Sequence, residues 1–284
     1  MGDLPPLPES WMFLVPKAGS RADECEDAGG VWLGEPRTGS DGVVVTSLYA
    51  SVSDGASESL LARAWAQRLV TDAIESMSLS ELWWQHSPEF VRDLMVRAAG
   101  HWDRYLEWYQ ADRTARGRPI AWYERPGLEK GAFATVLGVE IQSVMSDDGA
   151  AWRWHAFALG DSCLFQLRDG AVCGAFPVGD LAEFGITPQL LGSRNRDVEL
   201  VSDRVSLTEG ELLPGDELLL VSDALAAWLF AASDDSGALA GEELAAVSDG
   251  GLECFTEWVD GQRECGRMRN DDVTLIRIQV RAEV

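Results

Sequence analysis

The stretch that decides the fold runs from residue 131 to 178: GAFATVLGVEIQSVM (131–145), DDG (147–149), AAWRWHAFAL (150–159), GDS (160–162), CLFQLR (163–168), DG (169–170) and AVCGAFPV (171–178). Apolar runs of strand length separated by Asp-Gly and Gly-Asp-Ser turns describe an antiparallel meander. Upstream, VVVTSLYASVS (43–53) is another β-branched run, and it passes through Asp54-Gly55 into Leu61, Trp65, Leu69, Ala73 and Met77 at helical spacing. A second helix is expected from Ser87-Pro88, a cap residue with proline in the first turn. It carries Phe90, Leu94, Ala98, Trp102, Leu106 and Tyr109 and runs to about residue 114. Downstream, strands are expected at VELVSDRVSL (198–207) and DELLLVSD (216–223), helices at about 224–232 and 251–263, and a last strand at DDVTLIRIQV (271–280). Long runs of each element type, rather than alternation, give an α+β class.

Composition narrows what such a chain does. Its 284 residues are 46% hydrophobic, enough for a sizeable core, and no linker, repeat or low-complexity tract divides them, so one domain over 1–284 is expected, with a helical elaboration at about 80–125. The net charge of −24 argues against nucleic-acid backbones and anionic membranes as partners and for cations or basic ligands. The longest apolar stretch, LLLVSDALAAWLFAA, is broken by Asp223, and MGDLPPLPES has neither a basic start nor an apolar core, so a cytoplasmic protein is expected. Five cysteines without a C-x-x-C pair suggest neither a disulfide framework nor a zinc knuckle.

Chemistry is concentrated where strands stop. Asp54 follows LYASVS, Asp161 follows AFALG, Asp223 follows LLLVS, and Asp271 precedes VTLIRIQV. Singly, each reads as a turn residue, because Asp bonds its own backbone and Gly relaxes the chain. Repeated at strand ends across the chain, they read as oxygen ligands gathered on a sheet rim, since hard divalent cations need several such donors and converging carboxylates repel without one. The histidines His86, His101 and His155 match no H-E-x-x-H or triad pattern, and Ser162 lacks a G-x-S-x-G elbow.

The ordered segments ECEDAGG, SDGASES, GAFATVLGVEI, FALGDSCLFQLRDG, LLPGDELLLVSDAL and NDDVTLIRI resemble those of the type 2C metal-dependent protein serine/threonine phosphatases, nearest to a bacterial-type branch with PKAGS…EDA. The resemblance implies a four-layer α-β-β-α sandwich of two antiparallel sheets flanked by helices. It implies hydrolysis of phosphoserine and phosphothreonine by water activated between two manganese or magnesium ions. By that resemblance Asp54 would bridge both metals and Gly55 would offer its carbonyl to one. Glu26, Asp223 and Asp271 would hold the other, Asp27 would orient a water, and Asp161 with Asp223 would contact a third, weaker ion. Either Lys17 or Arg21 would grip the phosphate, as a point charge or through two parallel hydrogen bonds respectively.

The chain departs from the pattern at Ala224, where the family has Gly, and at Ala227, where a carboxylate often stands. Those changes motivate the alternative of a weakened or inactive relative that binds a phosphoprotein. The expected partner is a phosphoprotein substrate with basic flanks, with no nucleic acid and no membrane; the sequence shows no seam that sets an oligomeric state.

Overall fold

The computed structural model describes residues 7–38, 44–146, 149–184, 188–235 and 240–281. In chain order the elements are β1 (Glu9–Val15), β2 (Ala28–Leu33), β3 (Arg37–Thr38), β4 (Val44–Ser53), α1 (Ala62–Leu79), α2 (Ser87–Ala115), α3 (Arg125–Lys130), β5 (Phe133–Ala134), β6 (Val136–Ser146) and β7 (Gly149–Leu159). There follow β8 (Cys163–Arg168), β9 (Ala171–Phe176), β10 (Leu191–Gly192), α4 (Val198–Ser202), β11 (Ser206–Leu212), β12 (Glu217–Val221), α5 (Asp223–Asp235), α6 (Ala240–Asp249), α7 (Gly251–Glu264) and β13 (Val273–Gln279). One sheet has the order β1-β13-β12-β8-β9, the other β11-β7-β6-β4-β2 with β3 also on β4, and β5 and β10 form a small pair. The pairings in both large sheets are antiparallel.

Period-two alternation sorts each strand between two cores. Along β12, Leu218 and Leu220 face the space between the sheets while Leu219 and Val221 face the outer helices. Along β7, Trp152, Trp154, Ala156 and Ala158 point into the same inner core as Leu48, Val139 and Ile276, and Phe157 and Leu159 point outward to α1 and α2. The other outer core packs Leu225, Leu229, Leu244, Phe255 and Val259 of α5, α6 and α7 on Phe165 and Leu275. Three apolar cores between four layers are the expected α-β-β-α sandwich. Each fully buried Leu or Phe in them is worth about 1.5–3 kcal/mol. No described helix is long and apolar enough to cross a membrane.

Two sequence expectations are corrected. The stretch 198–207 is not one strand. Asp197 accepts the Leu200 amide at 3.0 Å and caps α4, and Val201 buries against the α1/α2 core, so the strand starts only at Ser206. Nor is 131–178 one meander: β6–β7 and β8–β9 are hairpins in different sheets, and the chain changes sheet through Gly160-Asp161-Ser162. Gly160 takes φ +113 there, and a Cβ on it would lie 2.6 Å from Thr135 Cγ2. Strand β1 and helix α6 lie outside the segments read from sequence, and the Glu26-Asp27 pair directly precedes β2. The expected Asp147-Asp148 turn falls outside the described residues.

Candidate functional site

Antiparallel pairing brings strand starts and strand ends to one rim. Strands β4, β7 and β12 end where β2, β6 and β13 begin, fixed by the pairs Ala28↔Ser53, Val136↔Leu159 and Val221↔Leu275. Glu26 and Asp27, Asp54, Asp161, Asp223 and Asp271 therefore all lie within two residues of that rim. Glu26 and Asp27 lie just ahead of β2, and Asp223 opens α5, where a carboxylate suits the helix N-terminus.

The backbone around them is tightly held. Thr135 Oγ1 accepts the Asp54 amide at 2.9 Å, its amide donates to the Asp54 carbonyl at 2.9 Å, and its hydroxyl lies 2.7 Å from Ser162 Oγ. One threonine thus sets both the Asp54 and the Asp161 turns. Gly55 is required by space: a Cβ would stand 2.7 Å from the Glu26 carbonyl oxygen and 3.0 Å from the Ala62 carbonyl carbon. On the opposite side Asp272 accepts the Lys17 amide at 2.8 Å and the Glu26 amide at 2.7 Å, and Ser222 Oγ accepts the Thr274 amide at 2.9 Å.

Asp27 is buried, and Thr274 Oγ1 donates to its Oδ2 at 2.8 Å. Burial pushes the Asp27 carboxyl up to about 7, against the pull of the Thr274 and Ser222 hydroxyls. The Asp54 carboxyl hydrogen-bonds with that of Asp27 and is driven well above the ordinary carboxylate range, first by burial and then by the charges of Asp27, Asp271 and Asp161. Burial also raises Asp161, opposed by Arg269. Asp223 Oδ1 is buried without a hydrogen-bond partner among the described residues.

Two cations approach the cluster. Lys17 Nζ lies 3.2 Å from Glu26 Oε2 and 3.3 Å from Ser57 Oγ. Desolvation pulls the Lys17 ammonium down, but Glu26, Asp272 and Asp271 outweigh it and hold it above its ordinary value. Arg269 contacts Asp223 Oδ2 through Nη2, and its Nε is 3.5 Å from Asp271 Oδ2. Arg21 instead points to solvent, paired with Asp23 at 2.9 Å and Glu24 at 3.7 Å. His101 on α2 is bound to Asp72 on α1, His155 on β7 is stacked on Trp84, and Ser162 is a buried clasp for Thr135.

Among the described residues no group of three or more His, Cys, Asp or Glu side chains is arranged to hold a metal ion. The donor chemistry nevertheless fits a hard divalent cation: every ligand atom is oxygen, one is an orphaned buried carboxylate oxygen, and the buried carboxylates repel one another. The sequence reading missed Thr135, Ser57, Ser222, Thr274 and Asp272 as supports, although all five lie inside its motifs. Arg269 carries no motif signal at all.

No family model and no curated protein matches the sequence. Solved structures do. The Mycobacterium tuberculosis serine/threonine phosphatase PstP/Ppp is 16% identical, with 97% of this chain and 99% of that chain covered and a TM-score of 0.51. The Staphylococcus aureus serine/threonine phosphatase Stp1 is 14% identical, with 99% and 98% covered and a TM-score of 0.52. The photosystem II phosphatase PBCP is 16% identical, with 97% and 100% covered and a TM-score of 0.51. The fold is the one these phosphatases share.

Proposed function

We propose that this chain is a type 2C metal-dependent protein phosphatase of the bacterial type, hydrolysing phosphoserine and phosphothreonine in proteins. The observation that carries the reading is the meeting of Asp27, Asp54, Asp161, Asp223 and Asp271, from five separate segments, at one rim of a fold shared with serine/threonine phosphatases.

In this reading Glu26, Asp54, the Gly55 carbonyl, Asp223 and Asp271 would hold two manganese or magnesium ions, and Asp161 with Asp223 a third. Bound there, such ions neutralise phosphoryl oxygens and acidify a water near neutral pH. The chain's own groups supply position. Thr274 fixes Asp27 Oδ2, and the Asp27 carboxyl, held also by Ser222 and lying against Asp54, would orient water. Thr135 locks the Asp54 and Asp161 turns, so neither carboxylate has to be ordered during reaction. Lys17, at the edge of the cluster, binds the substrate phosphate as a point charge. The ester P–O bond breaks, water supplies the new P–O bond, and its proton leaves with the serine or threonine hydroxyl.

The physiological substrate is a cytoplasmic phosphoprotein with basic flanks, whose encounter the charge of −24 accelerates at low salt. The test is turnover of an aryl phosphate and a phosphothreonine peptide with manganese, magnesium or chelator, alongside calorimetric titration of manganese. Metal-dependent release of phosphate supports the reading; neither turnover nor metal binding contradicts it. A second reading, a non-hydrolytic relative, is favoured by Ala227 in α5 and by Arg269 lying on Asp223. It predicts phosphopeptide binding without turnover in the same assay.

A further inference from the structure

We infer that Arg269 is an internal counter-cation: in the absence of divalent ions its guanidinium closes the carboxylate cluster, and it has to leave before such ions bind. This rests on the metal-dependent reading above, but it concerns a residue that no motif assigns.

The geometry carries the inference in three steps. First, Arg269 is shared. Nη2 contacts Asp223 Oδ2, Nε lies 3.5 Å from Asp271 Oδ2, and its charge also reaches Asp161. These are three of the carboxylates that would otherwise meet as uncompensated like charges, with Asp54 already feeling both Asp271 and Asp161. Secondly, the cluster is not otherwise balanced on this side. Lys17, the other approaching cation, is engaged by Glu26 and Ser57, and Asp223 Oδ1 has no partner among the described residues.

Thirdly, the guanidinium is free to leave while its backbone is not. Asn270 Oδ1 accepts the Ala18 amide at 2.7 Å, Asp272 accepts the amides of Lys17 and Glu26, and Arg263 Nη2 donates to the Asp271 carbonyl at 2.6 Å. On the other side the Met268 amide donates to the Gln262 carbonyl at 3.2 Å, so the loop before β13 is tied on both sides of residue 269. The Arg269 side chain remains 49% exposed, against 13% for Asp223, so it rotates into water without disturbing a core. A divalent ion brings two charges and several coordination positions to oxygens that a monovalent guanidinium holds only by hydrogen bonds, so the exchange favours the ion once its concentration suffices. Arg269 accordingly sets the metal concentration at which the site fills.

The test compares wild type with Arg269→Gln, which stays polar and loses the charge, and with Arg281→Gln. The latter removes one positive charge at the far end of β13, where Arg281 pairs with Glu9. Manganese affinity is read by calorimetry and thermal midpoint in chelator by scanning fluorimetry. The expected result is that R269Q binds manganese about tenfold more tightly and melts about 2–4 °C lower in chelator, while R281Q does neither. Unchanged affinity in R269Q, the same change in R281Q, or a higher midpoint of R269Q in chelator would overturn the inference. If no protein binds manganese yet R269Q still melts lower in chelator, the counter-cation stands and the metal-dependent phosphatase reading falls instead.

Discussion

The Thr274 hydroxyl donates to Asp27 Oδ2 at 2.8 Å, and through that bond the final strand holds the acidic segment ahead of β2 in place. Both residues are buried, so the bond has no competing water. Thr274→Val keeps the shape and removes one donor from the buried carboxyl, which costs about 1–3 kcal/mol. Thr274→Ser retains the donor and should cost clearly less. Urea unfolding in chelator measures both; equal losses would show that the methyl packing, not the hydroxyl, matters there.

Gly55 lies against backbone on two sides, so a side chain has nothing soft to displace. A Cβ would meet the Glu26 carbonyl oxygen at 2.7 Å and the Ala62 carbonyl oxygen at 3.1 Å. Gly55→Ala is expected to destabilise by about 1–3 kcal/mol and to lower phosphatase activity more than stability accounts for, because the shift moves Asp54 itself. Thermal unfolding and turnover on the same preparation decide this; full activity with normal stability would contradict it.

Lys17 and Arg21 are separated by their surroundings. Lys17 reaches Glu26 and Ser57 at the cluster, whereas the Arg21 side chain is 73% exposed and paired with Asp23. Lys17→Ala should therefore raise KM for a phosphothreonine peptide several-fold, on the order of the 1–2 kcal/mol of one charge-assisted contact, with Arg21→Ala near wild type. Steady-state kinetics of the two variants would reverse the assignment if their order were opposite.

Asp72 offers a pH dependence remote from the rim. It is buried in α1, with Oδ1 2.6 Å from His101 Nδ1 and Oδ2 unpartnered among the described residues. Burial raises its carboxyl pKa, opposed by His101. An acid with a raised folded pKa holds its proton more tightly when folded, so its contribution to stability is greatest in acid and declines as pH rises through that range. Asp72→Asn removes this titration. Between pH 3.5 and 5.5 the stability difference should move in favour of the variant. Urea titrations at the two pH values check the sign; movement toward wild type would contradict it.

The parts of the molecule written in local pattern were legible from the sequence. Helices α1 and α2 follow the spacing of Leu69, Ala73 and Met77 and of Phe90, Leu94 and Ala98, and apolar runs bounded by turn residues mark β7, β12 and β13. What was not legible depends on pairing between distant segments. Gly160 to Ser162 looks like a hairpin turn, yet Thr135 draws it into a change of sheet. Val198 to Ser202 is β-branched enough to read as strand, yet the Asp197 cap and the packing of Val201 make it helix. At the site, strand-end aspartates announced themselves by repetition. Arg269 did not, because a lone arginine beside a motif carries no pattern until the fold sets it on Asp223.

The most direct test of the central claim is phosphate release from a phosphothreonine peptide by wild type and Asp54→Asn, each with manganese and with chelator. Asp54 sits where the strand-end carboxylates converge and feels three of them. The account predicts metal-dependent turnover in wild type and a loss of roughly a thousandfold in kcat/KM for the variant, about 4 kcal/mol of transition-state stabilisation. Turnover that survives chelation, or a variant as active as wild type, would contradict it.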